Sequence, residues 1–516
     1  MVISLTAVAC ALMFTFSKRD PSRNTIKGST AQAPPFVPYT IPFLGSVIQL
    51  GKYGFTGFIR HCRKELGGYP PIFTALVGGK RMHFIADPSV FGAAFRYSEK
   101  YLSIGPVIAD FAGSFFGISS TGLDGLFEHR EGLKPLLDHL LRTDGLKRTS
   151  ALTQTSIQRH MERLVLGSCA GNHSIKLMKS ADTALNMDLE EFCNQIIFRT
   201  ILDVLICPDV SHDDFLKAYA CFEKSMMLSF LNLPMRWLMP DSFKARGQLL
   251  NWLSGERPWA PYLQARRAYL KDSLSANDLA CDMLLWTWAS VSNLIPAIFW
   301  LVYHVVTTPE AVAAIRAEID PLFRDGQSST TLTAEELSAA VTPALDSAFW
   351  EALRLRLHFL IAREVKQDME LELKTMPPST AEMAQNEKIN DHPPDNQKYF
   401  LRAGERIMML TTILHQDPEL FPNPTVYQWD RFLAPSVGEG TAKTNQIENI
   451  KPFGGGAHYC PGRKFAMTAA KAMVAQLLYG YDASIVGTAQ PDWARDGMGI
   501  LHSKTRVQIV LQPRQF

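Results

Sequence analysis

No two of the eight cysteines, at positions 10, 62, 169, 193, 207, 221, 281 and 460, form a C-x-x-C pair, so the ligand spacings of zinc ribbons and iron–sulfur clusters are absent. Eight thiols in 516 residues are also too few for a disulfide scaffold. Excess charge of one sign is missing: 52 Lys and Arg stand against 50 Asp and Glu, a formal net charge of +2. That balance disfavours a nucleic-acid partner, which calls for a strongly basic face. There is no internal repeat. With 47% apolar and 20% charged residues, the chain has the material for a large core and is not a disordered one.

Charge is also lacking from residues 1–17, an apolar run followed by Lys18, Arg19, Arg23 and Lys27. Seventeen residues are at the short end of a spanning helix, for which about 20 are usual. A cleaved signal normally carries charge ahead of its apolar run, and none precedes this one. Basic residues behind the run place the remainder of the chain on the cytoplasmic side. We therefore expect a membrane anchor over residues 1–17, a basic and proline-rich linker over 18–42, and one large domain over 43–516. Pro34, Pro35, Pro38 and Pro42 favour a stiff extended linker.

From residue 43 to 374 the apolar spacing is mostly helical, clearest over residues 190–205 and 279–306. A strand pair is expected at 72–77 and 82–86, divided by Gly78 and Gly79. Residues 377–397 are polar and proline-bearing and read as a surface loop. Residues 399–410 look strand-like around Gly404, and 506–511 alternate as an edge strand would. The expected class is mainly α with small β sheets.

Residues 451–466, KPFGGGAHYCPGRKFA, carry the most chemistry. Phe453, Gly456, Cys460 and Gly462 fall at spacing F-x-x-G-x-x-x-C-x-G. The glycines let backbone turn sharply and pack flat against a planar ligand. Cys460 is expected to open a helix, with Pro461 in its first turn and the amides near Gly462 and Arg463 aimed at the sulfur. Such amides stabilise a thiolate and tune a metal bound to it. A phosphate loop is excluded because no Gly-Lys-Ser/Thr follows.

This loop resembles the haem-binding signature of the cytochrome P450 family, and its Gly-Ala-His-x-Cys-Pro-Gly form is similar to that of many fungal members. The resemblance implies the P450 fold, haem b with Cys460 as the axial iron ligand, and electrons from NADPH-cytochrome P450 reductase. One departure is His458, which stands where the family usually has an Arg that pairs with a haem propionate. Glu351 and Arg354, three apart on a helical run, are an ordinary surface pair on spacing alone. The resemblance makes them the family's E-x-x-R pair, completed by Arg431, and gives the three a structural role. Arg363 matches a propionate-binding Arg of related enzymes. The family's W-x-x-x-R is not evident, and Lys134 or Arg130 is the expected substitute. Arg463, Lys464 and Lys471 are expected to form a basic docking patch for the reductase.

Another absence concerns residues 286–306, a long apolar helix with Pro296 inside it. Pro296 removes a helical hydrogen bond and should loosen the helix near Asn293. Where most P450s have an acid followed by Thr, this chain has Ser292 and Asn293. A buried Asn is ordinarily a satisfied core amide. The pattern W-A-S-x-x-N-x-I-P-A-x-F-W over residues 288–300 resembles instead the branch containing sterol 7α- and 12α-hydroxylases and prostacyclin synthase, and implies catalytic roles for both residues. The expected activity is a monooxygenase of the endoplasmic reticulum membrane acting on a hydrophobic terpenoid, meroterpenoid or sterol of secondary metabolism. The alternatives are a P450-type isomerase or dehydratase that needs no external electrons, and a non-catalytic haem- or lipid-binding protein.

Overall fold

The computed structural model describes residues 31–39, 41, 44–67, 69–169, 185–208, 212–230, 235–325, 332–373, 397–433, 446–455 and 458–516. The expected anchor, most of the linker, the 377–397 loop up to residue 396, and Gly456 lie outside them. Within the linker, residues 35–37 run along the first strand, while Gln32 pairs with the strand at Gln397–Leu401. Val37 N donates to Thr74 O at 2.8 Å and Thr74 N to Pro35 O at 2.7 Å, and Val37 is buried.

The helices that position the site are α1 (Val47–Glu65), α2 (Arg130–Leu141), α3 (Thr143–Cys169), α4 (Leu189–Cys193), α5 (His212–Glu223), α6 (Pro240–Ser254), α7 (Ala276–Val291), α8 (Leu294–Val306), α9 (Pro309–Asp325), α10 (Pro343–Arg356) and α11 (Arg463–Gly480). After α4 the helix continues to Ile206 with two wide π turns, at Asn194–Phe198 and Leu202–Ile206. The expected 190–205 helix is thus present but locally unwound. Such turns recur at functional sites.

The strands are β1 (Ile72–Val77), β2 (Lys80–Ile85), β3 (Leu102–Ser103), β4 (Leu185–Asp188), β5 (Leu357–Val365), β6 (Met369–Leu373), β7 (Gln397–Leu401), β8 (Arg406–Leu410), β9 (Tyr481–Val486), β10 (Met498–Ile500) and β11 (Gln508–Pro513). The largest sheet runs β1-β2-β8-β5-β10, with β3 added to β5. Its β1–β2 hairpin turns at the two glycines, as the sequence indicated, and β2–β8 is its parallel pair. A second sheet runs β4-β11-β9 and a third pairs β6 with β7. β11 is therefore a central strand, not the expected edge. The alternation of buried Ile509 and Leu511 with more exposed neighbours reports one covered face, which an edge and a centre strand share.

Residues 276–306 are long and apolar enough to cross a membrane, but 72% of their most apolar stretch is buried inside the protein. They form the spine of the core, with α8 packed on α10 and α11. The helix breaks where Pro296 requires. Its ring nitrogen cannot bond the Ser292 carbonyl, Asn293 opens to φ −102°, and α8 restarts at Leu294. Mainly α with small sheets is the observed class.

Candidate functional site

The site is assembled on a desolvated charge network. Glu351 and Arg354 share one face of α10, three residues apart, and both are fully buried. Arg354 donates from Nε to Glu351 Oε2 at 2.7 Å and from Nη2 to Oε1 at 2.8 Å, a bidentate pair. Its Nη1 donates to the carbonyls of His415 at 2.7 Å and Pro424 at 2.8 Å. Arg431 Nε donates to Glu351 Oε1 at 3.0 Å and its Nη1 to Pro422 O at 2.9 Å. The amide of Gln428 completes the carboxylate's shell at 3.1 Å. Three charges in an apolar interior are tolerated because nearly every donor and lone pair is occupied.

His415 carries this network to the cysteine loop, and nothing in the sequence singled it out. Its carbonyl holds Arg354, while its ring Nε2 accepts the Lys451 amide at 2.9 Å, two residues before Phe453. An accepting Nε2 puts the ring proton on Nδ1. Burial first, and the Arg354 charge second, push His415 down to about 3. Phe453 is packed edge-on against the Trp350 ring at 6.0 Å, one helix position from Glu351.

The loop turns at Gly454, whose φ is +78° and where a Cβ would lie 3.1 Å from the His458 carbonyl. Cys460 N donates to Phe453 O at 2.9 Å, closing the loop. Helix α11 begins at Arg463, three residues later than expected, because Gly462 is its cap and Pro461 lies in the turn before it. The Gly462 and Arg463 amides still reach the sulfur. They do not win: burial leaves the thiol raised above its ordinary value, against those amides and the Arg463 charge.

Of the six cysteines whose side chains are described, Cys460 alone is exposed. Beside it the structure brings two expected residues together around an unexpected third. His458 Nε2 bonds Glu99 Oε1, and Arg363, buried on β5, feels the same carboxylate. Burial raises the Glu99 carboxyl, but the Ser103 hydroxyl, the His458 ring and the Ile104 amide outweigh it and leave Glu99 below the usual carboxylate range. Arg363 donates to the carbonyl of its neighbour Ala362 at 2.9 Å and makes no ion pair among the described residues. Its burial, partly offset by Glu99, lowers its pKa.

Lys134 is exposed on α2, a helix packed on α3, and Arg130 pairs with its exposed neighbour Glu131. One expected placement fails. Lys471 is buried and donates from Nζ to Asp346 Oδ1 at 3.0 Å, so it presents no charge to a docking partner. Arg463 and Lys464 remain at the surface or partly so.

On the other side of the core, Asn293 sits half-buried in the helix break. Its Oδ1 accepts the Ile500 amide at 3.0 Å. Because that partner is a donor, the carboxamide's orientation is fixed, and its NH2 is the free end. Gly499 permits the contact: its φ is +130°, and a Cβ there would stand 2.3 Å from Asn293 Oδ1. Ser292 Oγ is buried and makes no hydrogen bond among the described residues.

Comparison with known proteins gives the family. A family model described as cytochrome P450 matches residues 260–384 and 387–510. The chain is 26% identical to cholesterol 7-alpha-monooxygenase of Cricetulus griseus over 524 residues, covering 96% of this chain and 94% of that protein. It is 24% identical to prostacyclin synthase of Rattus norvegicus over 522 residues, covering 93% and 94%. Among solved structures, a retinoic acid-bound cyanobacterial CYP120A1 superposes with a TM-score of 0.65 at 18% identity, over 94% of this chain and all of that one. The chain belongs to the cytochrome P450 family, whose prosthetic group is haem b on an axial cysteine thiolate. The residues present fit that group: one solvent-open cysteine with two backbone amides at its sulfur, and a buried Arg363 that makes no ion pair among the described residues.

Two outcomes test the network. Glu351→Ala strands two buried guanidinium groups and should cost roughly 3–5 kcal/mol, giving apoprotein or aggregate; normal haem content in that variant would contradict it. His415 is neutral in the folded chain and titrates near 6.5 when unfolded. The unfolded state thus binds more protons between pH 6.5 and about 3, and stability falls as pH drops through that window. At pH 5 the loss should be about 2 kcal/mol. His415→Gln keeps an acceptor for the Lys451 amide but cannot titrate, so its melting temperature should fall less between pH 7 and pH 5 than that of the native chain.

Proposed function

We propose that this chain is a haem-thiolate monooxygenase that inserts one oxygen atom into an apolar substrate, a sterol, terpenoid or meroterpenoid of secondary metabolism. Its electrons come from NADPH through a membrane-bound reductase at the endoplasmic reticulum. The observation that carries the reading is Cys460, an open sulfur at a helix N-terminus, reached by two amides and held by a loop tied to the buried Glu351 network. Similarity to a cholesterol 7-alpha-monooxygenase over nearly the whole chain supports the substrate class.

Each residue has a part in this reading. Bound here, haem supplies oxygen activation. Cys460 holds it, and the Gly462 and Arg463 amides restrain the sulfur's electron donation. Arg363 and His458 anchor its acidic edge, with Glu99 orienting His458. Asn293 offers two N–H donors and one remaining lone pair on Oδ1, and an amide is not a base, so it orders an oxygen or a water but abstracts no proton. Ser292, adjacent and unpartnered, is the hydroxyl through which a proton passes. Arg463 and Lys464 face the reductase, and residues 1–17 hold the chain at the membrane.

A second reading, a reductase-independent isomerase, is favoured by the same free Asn293 NH2, which could hold a substrate oxygen, and by similarity to prostacyclin synthase. Native protein reconstituted with NADPH and reductase under labelled dioxygen should yield a product carrying one labelled atom. Conversion of a peroxide substrate without NADPH, and none with it, would instead establish the isomerase. The reduced carbonyl complex should show the red-shifted Soret band of a thiolate ligand, and Cys460→Ser should lose both band and turnover.

Asn293 has a sharper pair of variants. Asn293→Asp keeps an acceptor for the Ile500 amide but replaces the free NH2. Asn293→Ala loses both. If the NH2 manages oxygen, both variants should lower product formed per NADPH with substrate titrations unchanged. If Asn293 only ties the break to Ile500, Asn293→Asp should behave as native while Asn293→Ala loses thermal stability.

A further inference from the structure

Asp346 and Lys471 form a buried ion pair apart from the Glu351 network. Asp346 lies in the first turn of α10, and Lys471 lies inside α11. Lys471 Nζ donates to Asp346 Oδ1 at 3.0 Å, and Trp350 Nε1 donates to Asp346 Oδ2 at 2.9 Å. Asp346 and Trp350 are four residues apart and share one helix face. Among the described residues Asp346 is the only carboxylate bonded to Lys471. The neighbouring Glu318 instead accepts the Ala344 and Leu345 amides, at 2.6 and 3.2 Å. A buried ion pair adds little stability over apolar side chains of the same volume. What it does that they cannot is hold an acceptor still: with Oδ1 taken by an ammonium, Oδ2 is fixed, and the indole is fixed with it.

These contacts close a circuit through the cysteine. The Trp350 ring meets the Phe453 ring edge-on, at 6.0 Å and 83°. Phe453 O accepts the Cys460 amide at 2.9 Å. The chain then passes from Cys460 through the Gly462 cap into α11, and so back to Lys471. The loop is thereby referred to α10 twice. Glu351, Arg354 and His415 fix its start at Lys451, and Trp350 bears on Phe453, whose carbonyl holds the cysteine's own amide.

We propose that Trp350 is a positioning residue for the axial sulfur: its indole N–H, anchored on Asp346, holds Phe453 so that the Cys460 sulfur meets the Gly462 and Arg463 amides. The inference rests on Cys460 as the haem ligand and not on what the haem oxidises. Amides that donate to the sulfur draw electron density from it and raise the iron's potential, so a displaced sulfur should lower that potential. The test is the midpoint potential of the ferric–ferrous couple in the holoenzyme, taken together with the melting temperature. Trp350→Phe keeps a ring but removes the N–H, and should lower the potential by about 59 mV, tenfold in the one-electron equilibrium. Lys471→Met combined with Asp346→Leu removes the acceptor without stranding a charge. It should melt near the native protein and show the same lowering. Lys471→Met combined with Asp346→Asn also removes both charges but leaves an amide oxygen for the indole, so its potential should stay near the native value. Should Trp350→Phe fail to fold, the two double variants decide the matter. A native potential in the Asp346→Leu pair overturns the proposal, as does an equal lowering in both pairs, which would assign the effect to the lost charges. A native holoenzyme without the red-shifted Soret band of a thiolate would overturn the ligand itself, and the proposal with it.

Discussion

The Glu351 carboxylate is the constraint on which the rest of the site depends. Isolated in the interior it would be ruinous, and so would either arginine. Together they are stable only in one arrangement, because the remaining donors are spent on particular carbonyls, those of His415, Pro422, Asn423, Pro424 and Val426. Those carbonyls belong to the long irregular segment that precedes the cysteine loop. A segment with little secondary structure of its own thereby acquires fixed anchor points, and the loop inherits its position from them. Replacing the network by apolar side chains of equal volume would satisfy the core but release the loop.

A similar logic appears at the helix break. Pro296 frees a carbonyl and opens the helix, but a broken helix inside a core is loose unless something outside it fixes the new geometry. The Ile500 amide does so through Asn293, and Trp300 Nε1 donates to Leu501 O two helical turns further on. Two bonds, one to the end of β10 and one to the residue after it, thus set both the break and the helix after it. The cysteine loop is held by cations and the break by amides, so the two halves of the site respond to different perturbations: charge removal on one side, shape change at Gly499 on the other.

How much of this was legible follows from distance along the chain. The Glu351–Arg354 pair could be read because its members are three residues apart on one helix, and Arg431 because it sits in a recognisable segment. The Pro296 break followed from a missing N–H. The cysteine loop was readable because its glycines, cysteine and proline are contiguous. His415, Glu99 and Gly499 were not legible: each matters through a partner far away in sequence, and none belongs to a periodic or spaced pattern. Lys471 was misread for a related reason. A lysine on a helix is ordinarily solvated, and only the fold reveals Asp346 beneath it. The centre strand β11 looked like an edge because alternation records burial of a face and is silent about neighbours in the sheet.

The bond between Asn293 and Ile500 spans 207 residues, and that span has a meaning in time as well as space. A ribosome adding about 5–20 residues each second makes Asn293 roughly 10 to 40 s before its partner exists. During that interval the most apolar helix of the nascent chain is present without the strand that fixes its break. The delay is longer still for β4, whose ladder partner β11 lies further along the chain. Until the strand carrying Ile500 emerges, the break at Asn293 therefore has no partner to fix its geometry.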